Sequence, residues 1–303
     1  TDYNDLRDFI RLMEEKGQLK RIKKEVNWDQ EISAVFIKSC KQKNRALLFE
    51  KVRDSSMPLL IGSLASAERI RMCVGKTEAE MDDFIKNVLN TKREEYPPVK
   101  VEKGVSQEVV QKGDDIDLFA LPIPKFAEKE GGRYITAGVS ISKDPERGSG
   151  NAGVYRMMVR SKNEINVNFG FPNRHLLIHA KKAKQAGKPL PVAIAIGCDP
   201  ALWLCGSFPF PAKIDEIVQA GAVMEKGVEM VKAKTIDLDV PANSEFILEC
   251  EFDIDDKGLE GPYTDFQGYY TDQKENYILK VKAITHRKDP IYETSMTGHV
   301  PEG

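Results

Sequence analysis

A chain of 303 residues, 41% of them apolar and 30% charged, holds enough material for two ordinary domains with real cores. Its formal net charge of -2 argues against a general nucleic-acid binder, which needs a basic surface to release counterions. No run approaches the roughly 18–20 apolar residues of a membrane span. No charged n-region followed by an apolar h-region stands at the start, and the five cysteines (Cys40, Cys73, Cys198, Cys205 and Cys250) lack paired spacing. Both features fit a cytoplasmic protein with reduced, structural thiols and no thiolate zinc site.

The first hundred residues alternate between helical and extended patterns. Residues 2–16 read as an amphipathic helix, capped by Asp2 or Asn4, with Leu6, Phe9, Ile10 and Met13 on one face and Gly17 as the stop. Leu19–Val26 reads as a strand and Asp29–Gln42 as a second helix. Ala46–Phe49 and Leu59–Ile61 read as short strands, and Thr77–Leu89 as a helix with the Thr77/Glu80 capping-box spacing. This predicts a small α/β domain without site chemistry of its own. The stretch from Tyr96 to Gly104 reads as a linker, followed by extended pieces at Val105–Val110 and Ile116–Leu121.

Beyond it the pattern turns β-rich. Strands are expected at Tyr134–Ser142, Gly153–Arg160 and Glu164–Phe169. A helix over Asn173–Gln185 ends at Gly187, and Pro191–Ile196 is a strand. A Pro-rich loop, Gly206–Pro211, precedes a helix near Lys213–Met224. Val228–Ala233, Ser244–Glu251 and Tyr277–His286 read as further strands. The last residues, Gly298–Gly303, show neither a capped helix nor a closing strand.

Three constellations carry chemistry. Asn151 and Arg156 put an amide oxygen and a guanidinium five residues apart. On an unbroken strand they face opposite ways, so both reach one pocket only if Asn151 begins the strand or Gly153 marks a bulge. The competing reading is a loop Asn and a surface Arg. Glu260 and Asp265 flank Gly261-Pro262, and the competing reading is a solvated turn after the acidic run Asp253–Asp256. An arginine with two carboxylates makes a proton-handling network, because the cation holds one carboxylate charged while the other takes and returns a proton. His175, Glu216 and the Asn151 amide oxygen would form a donor set suited to Mn²⁺ or Mg²⁺; the competing reading of a lone His is structural. His179 lies one helical turn from His175 without the Glu of a zinc-protease motif, and His286 and His299 have no obvious partners. Gly148-Ser-Gly-Asn-Ala-Gly153 fits the spacing G-x-G-x-x-G but leads into a strand, so no helix N-terminus waits for a phosphate there. Neither a Walker loop nor Gly-x-Ser-x-Gly occurs.

Several motifs in order resemble the UbiD family of reversible, non-oxidative (de)carboxylases that use prenylated FMN. They are Gly131-Gly-Arg-Tyr-Ile-Thr136, Asn151-x-Gly-x-Tyr-Arg156, Asn173-Arg-His175, Pro209-x-Pro to Glu216, Asp237-Leu-Asp-Val-Pro-Ala242, and Glu260-Gly-Pro-Tyr-x-Asp265 with Gly268-Tyr-Tyr270. The resemblance implies an α+β chain: an N-terminal α/β domain over residues 1–104, then a flavin-reductase-like split β-barrel over 105–303. The family's usual C-terminal α/β domain does not follow in this sequence.

It further implies that Asn151, His175 and Glu216 hold Mn²⁺ or Mg²⁺ against the cofactor phosphate, with K⁺ near Gly206–Phe208. Val154, Tyr155, Arg156, Arg174, Gly206 and Ser207 join them as cofactor contacts, and Arg174 is a bulky cation where the flavin contact is expected. Arg156, Glu260 and Asp265 match the catalytic network, with Asp265 as proton donor. The activity implied is reversible decarboxylation of a hydroxybenzoate-type aromatic acid through a covalent adduct with prenylated FMN. A flavin prenyltransferase would supply the cofactor, and the full-length protein would be a homo-oligomer. Two alternatives stay open: a non-catalytic flavin-binding or scaffold subunit of a multi-subunit aromatic carboxylase, and an ordinary FMN reductase-type protein.

Overall fold

A computed structural model describes residues 1–92, 94–211 and 214–297. Helix α1 (Leu6–Glu15) starts where Asp5 Oδ1 accepts the Asp8 N–H at 2.9 Å, so Asp5, rather than Asp2 or Asn4, is the cap. Its buried face is the expected Leu6, Phe9, Ile10 and Met13. Strand β1 (Leu19–Ile22), helix α2 (Glu31–Gln42), and strands β2 (Ala46–Phe49) and β3 (Leu59–Ile61) follow the apolar runs, β1 ending earlier than its pattern suggested. Helix α3 (Ala67–Val74) escaped the periodicity because it is short; Ser66 caps it and Gly75, at φ 65°, ends it. The Thr77/Glu80 capping box forms as expected, ahead of α4 (Met81–Asn90).

The segment expected as a linker contributes β4 (Val99–Lys100), and Val105–Gln107 is a helical turn before β5 (Val109–Lys112). Leu118–Ala120 is likewise a turn, capped by Asp117 instead of extended. The expected Tyr134–Ser142 strand is two, β6 (Tyr134–Ile135) and β7 (Val139–Lys143). The expected Gly153–Arg160 strand is also two, β8 (Gly150–Val154) and β9 (Arg156–Val159), before β10 (Glu164–Asn168). Helix α5 (His175–Gln185) and strand β11 (Leu190–Ile196) come next. Gly206 and Ser207 close helix α6 (Pro200–Ser207), where only a loop was expected. Pro200 stands in its first turn, and Asp199 accepts the Ala201 N–H. Helix α7 (Glu216–Met224) begins behind its Asp215 cap; Lys213, its expected start, lies outside the described residues. Strands β12 (Glu229–Lys232), β13 (Asp239–Pro241), β14 (Phe246–Glu260), β15 (Lys274–His286) and β16 (Tyr292–Thr294) complete the described chain; the 298–303 segment and His299 lie beyond it.

These elements make an α+β protein with three sheets. A four-stranded sheet runs β1-β2-β3-β16, a three-stranded one β13-β12-β4, and a large sheet runs β6-β9-β10-β15-β14-β11-β7-β8 with β5 beside β15. In the large sheet, β6 and β9 lie at one end and β7 and β8 at the other. Yet only residues 136–138 join β6 to β7, and only Tyr155 joins β8 to β9. Connections this short bring the two ends close together, so the sheet curls round without closing. Long strands β14 and β15 form its spine, with a register shift between Phe252 and Lys257. The acidic run Asp253–Asp256 sits in that irregular stretch of β14.

Leu248, Phe252, Leu279 and Ile284 are buried along the spine together with Ile194 and Val167, each burial stabilising by ~1.5–3 kcal/mol. All five cysteines are free, four of them buried. No described helix is long and apolar enough to cross a membrane.

Candidate functional site

The break at Tyr155 is what allows Asn151 and Arg156 to serve neighbouring places. Asn151 lies on β8 and Arg156 opens β9, strands at opposite ends of the curled sheet that only Tyr155 separates in the chain. Asn151, Val154, Tyr155, Arg174, His175, Gly206, Ser207 and Glu216 all line one cavity of about 560 Å³. Eight of the nine residues expected to contact a cofactor thus share a single space, with Phe171, Phe208 and Phe210 beside them. The ninth, Arg156, follows directly in the chain.

Two helices begin at this cavity. His175 opens α5, whose N-cap residue, Arg174, makes no side-chain cap bond, so the helix N-terminus with Arg174 beside it suits an anion. Glu216 opens α7, and its Oε2 accepts the Ala152 N–H at 3.0 Å. Helix α6 ends here at Ser207, presenting the carbonyl end of a helix, which favours cations. His175 Nδ1 lies 3.0 Å from Asn151 Oδ1, while the buried Asn151 Nδ2 has no partner. Burial lowers the His175 pKa, helped by the Arg174 charge, so its imidazole favours the neutral form that a metal takes. Burial pushes the Glu216 carboxyl up to about 7, against the pull of the Ala152 N–H. Among the described residues no group of three or more His, Cys, Asp or Glu gathers as a metal site. A cation would therefore depend on the Asn151 amide oxygen together with His175 and Glu216. Amide, imidazole and carboxylate donors fit Mn²⁺ or Mg²⁺, and a helix N-terminus beside an arginine fits a phosphate.

Next to the cavity, Arg156 and Glu260 form a two-point ion pair, Nε to Oε1 at 3.2 Å and a terminal nitrogen to Oε2 at 3.1 Å. Glu260 ends β14 and its side chain is 1% exposed. Three further donors reach it: the Tyr134 hydroxyl at 3.0 Å, Asn168 Nδ2 at 3.2 Å and Asn276 Nδ2 at 2.9 Å. Burial, then the Glu260 charge, pushes the Tyr134 phenol pKa up, so Tyr134 stays a donor. The Arg156 guanidinium also lies 4.8 Å from the centre of the Tyr263 ring.

Asp265 stands apart. Its Oδ1 accepts the Gln267 and Tyr269 N–H groups, folding the 265–269 turn, and among the described residues it shares no hydrogen bond or ion pair with Arg156 or Glu260. The structure thus joins two of the three expected network residues and leaves the third on a loop with exposed Phe266 and Tyr269. His179 is structural: it is buried against Ser142 Oγ at 3.0 Å. His286 Nδ1 contacts the Arg287 carbonyl. Tyr134, Asn168 and Asn276 had no assigned part in the sequence. Only Tyr134 lay in a distinctive motif, while the two asparagines meet Glu260 through strand register.

Solved proteins of the same fold are UbiD-class enzymes. HmfF from Pelotomaculum thermopropionicum in complex with FMN superposes with TM-score 0.91 at 30% identity, covering 98% of this chain and 66% of HmfF. An evolved dimeric form of HmfF in complex with prFMN gives 0.92 at 29%, covering 98% and 69%. The closed form of vanillic acid decarboxylase from Sedimentibacter hydroxybenzoicus gives 0.90 at 29%, covering 98% and 65%. An uncharacterized protein of Aquifex aeolicus is 38% identical over 99% of this chain and 66% of its own length. Residues 98–300 match the model of the 3-octaprenyl-4-hydroxybenzoate carboxy-lyase Rift-related domain, and residues 10–88 that of the corresponding N-terminal domain. The chain belongs to the UbiD family. It spans 64–66% of the length of the curated relatives it matches.

Proposed function

We propose that this chain carries the cofactor site and ion-pair network of a UbiD-type carboxy-lyase acting reversibly on an aromatic, hydroxybenzoate-type acid. The observation that carries this reading is one cavity, beside a buried Arg156–Glu260 pair, lined by eight of the nine expected cofactor positions in a chain of this family. The structures with FMN and prFMN support a flavin, prenylated FMN in this reading. Asn151, His175 and Glu216 would hold Mn²⁺ or Mg²⁺ against its phosphate, with α5 and Arg174 donating to the phosphate oxygens. The carbonyl end of α6, at Gly206 and Ser207, would face K⁺.

When bound, prenylated FMN supplies an electron sink for the charge left as CO₂ departs. The chain's own residues do the rest. Arg156 anchors the substrate carboxylate beside the cavity. Glu260, with five donors on two oxygens, has no lone pair left for a proton and serves to fix the Arg156 fork. Proton return falls to Asp265. Its two backbone donors occupy Oδ1, leaving Oδ2 to carry the proton once the loop closes over substrate. In the carboxylation direction the same carboxyl takes that proton back.

The same reading divides the chain at residues 1–104 and 105–303, treats the curled sheet as a split barrel with β16 returning to the first domain, and places the protein in the cytoplasm. It further includes a homo-oligomer and a flavin prenyltransferase that supplies the cofactor. A second reading, a flavin-binding subunit that works with a partner, is favoured by one observation: Asp265 stands away from the Arg156–Glu260 pair on a loop with exposed aromatics.

Native mass spectrometry with an absorbance spectrum, on protein co-produced with a flavin prenyltransferase, tests both. Bound prenylated FMN with one divalent ion, and turnover of an aromatic acid by this polypeptide, are expected. Bound cofactor without turnover favours the subunit reading; protein empty of flavin overturns the proposed cofactor site.

A further inference from the structure

The Gly131–Thr136 segment does not line the cavity, and it packs against the corner that follows Glu260. The Gly131 N–H donates to the Pro262 carbonyl at 2.8 Å. A Cβ on Gly131 would stand 2.1 Å from the Gly261 oxygen, so this approach requires a glycine. Tyr134 donates to Glu260 Oε1 at 3.0 Å, and its ring lies 4.5 Å from that of Tyr263. One residue before the segment, Glu130 is 5% exposed. Its Oε2 accepts the Phe126 and Ala127 N–H groups at 2.8 and 3.3 Å, and its Oε1 accepts the Thr264 N–H at 3.3 Å. Thr264 directly precedes Asp265. Several of the loop's other bonds are internal, such as Tyr263 with Thr271 and Asp265 with Tyr269. Glu130 and Gly131 therefore tie the start of the loop to the segment that leads into β6.

We propose that Glu130 and Tyr134 form a positioning clasp: Tyr134 fixes the Glu260 carboxylate against Arg156, and Glu130 holds the backbone that carries Asp265. What the clasp serves rests on the decarboxylase reading; its existence does not. A carboxylate at a strand end can rotate away from its partner, and a loop without an anchor at its start would carry Asp265 away whenever it moved; the clasp fixes the carboxylate and the start of the loop from one short segment.

Glu130→Gln tests the loop half. Two N–H groups face Oε2 and one faces Oε1, so the amide oxygen takes the Oε2 place and its NH₂ meets the Thr264 N–H, donor against donor. In the full chain the Thr264 amide is expected to exchange with solvent about tenfold faster, the factor for one lost backbone bond, with β14 and β15 unchanged. Unaltered exchange at Thr264 overturns the loop half. Tyr134→Phe tests the other half and removes only one oxygen. The Arg156 Nε–H resonance is expected to shift as its carboxylate partner loosens, and an unmoved resonance overturns the Tyr134 role. In holo-protein loaded with prenylated FMN, Tyr134→Phe should lower kcat about tenfold with KM nearly constant, as for an interaction strengthened in the transition state. Unchanged kcat overturns positioning. Holo-protein that converts no aromatic acid, with both solution signatures present, defeats the decarboxylase reading and leaves the clasp standing.

Discussion

Five donors on one buried carboxylate decide how Glu260 and Arg156 divide their work. On the proposed reading Arg156 is the group that meets substrate. Arg156→Ala should reduce turnover by about 10²–10³-fold or more, the range for losing a preorganised charged donor. The fold should survive, because Tyr134, Asn168 and Asn276 still donate to Glu260, holding the loss below the ~3–5 kcal/mol of a stripped buried charge. Steady-state rates beside a melting curve check both halves; retained turnover would remove Arg156 from the network. Glu216→Ala should cost flavin and metal retention instead, measured as bound cofactor per chain after gel filtration, and unchanged content would rule out its part in the cation site. The sequence displayed these charged residues plainly. It could not display Asn168 and Asn276, because neutral amides carry no pattern and they meet Glu260 only through the register of β10 on β9 and of β15 on β14.

At the scale of elements, the informative feature is where strands break. Spacing required a device to bring Asn151 and Arg156 to neighbouring places and suggested the start of a strand or a bulge at Gly153. The structure uses a strand change at Tyr155, which moves the chain from one end of the curled sheet to the other. Periodicity is blind to that, since Tyr155 between β8 and β9 is neither glycine nor proline and nothing else in the run marks a break. Helices α3 and α6 escaped for a related reason: each has eight residues, about two turns, too few for a face to repeat. The meeting of β6 with the corner after β14 yields a prediction of its own. Gly131→Ala would press a methyl onto the Gly261 oxygen, and because that contact is backbone on backbone, the corner itself must shift. Stability should fall by ~1–3 kcal/mol, the range for overpacking, and turnover should fall with it. Denaturation by urea and a rate assay check this; a variant of wild-type stability and rate would mean that the corner is free to move.

Across the whole molecule, buried acids join what the chain order separates. Glu245, fully buried at the start of the spine, accepts from Arg7 of α1 at 2.8 Å, from Arg287 after β15 at 3.3 Å and from the Ile291 N–H at 2.9 Å. It ties the first helix to the large sheet. Glu293 lies on β16, the strand that completes the four-stranded sheet, with Ser63 Oγ donating at 2.6 Å to Oε1 and no partner on Oε2. Burial pushes its carboxyl up to about 7; the Ser63 bond opposes this, and the Glu245 charge adds to it. The direction of the linkage follows. With the folded value raised above the ordinary 4.5, the protonated acid contributes fully at pH below 4.5, and its contribution is lost as pH rises from there through about 7. Glu293→Gln keeps the shape and never ionises. The variant should therefore match the wild type near about pH 4 and exceed it by ~3 kcal/mol near about pH 8, as the separation of the two pKa values requires. Urea midpoints at the two pH values measure this directly. A difference between the proteins that stays constant with pH would mean that Glu293 ionises as readily in the folded sheet as in the open chain, and that β16 is not held by a neutral acid at its centre.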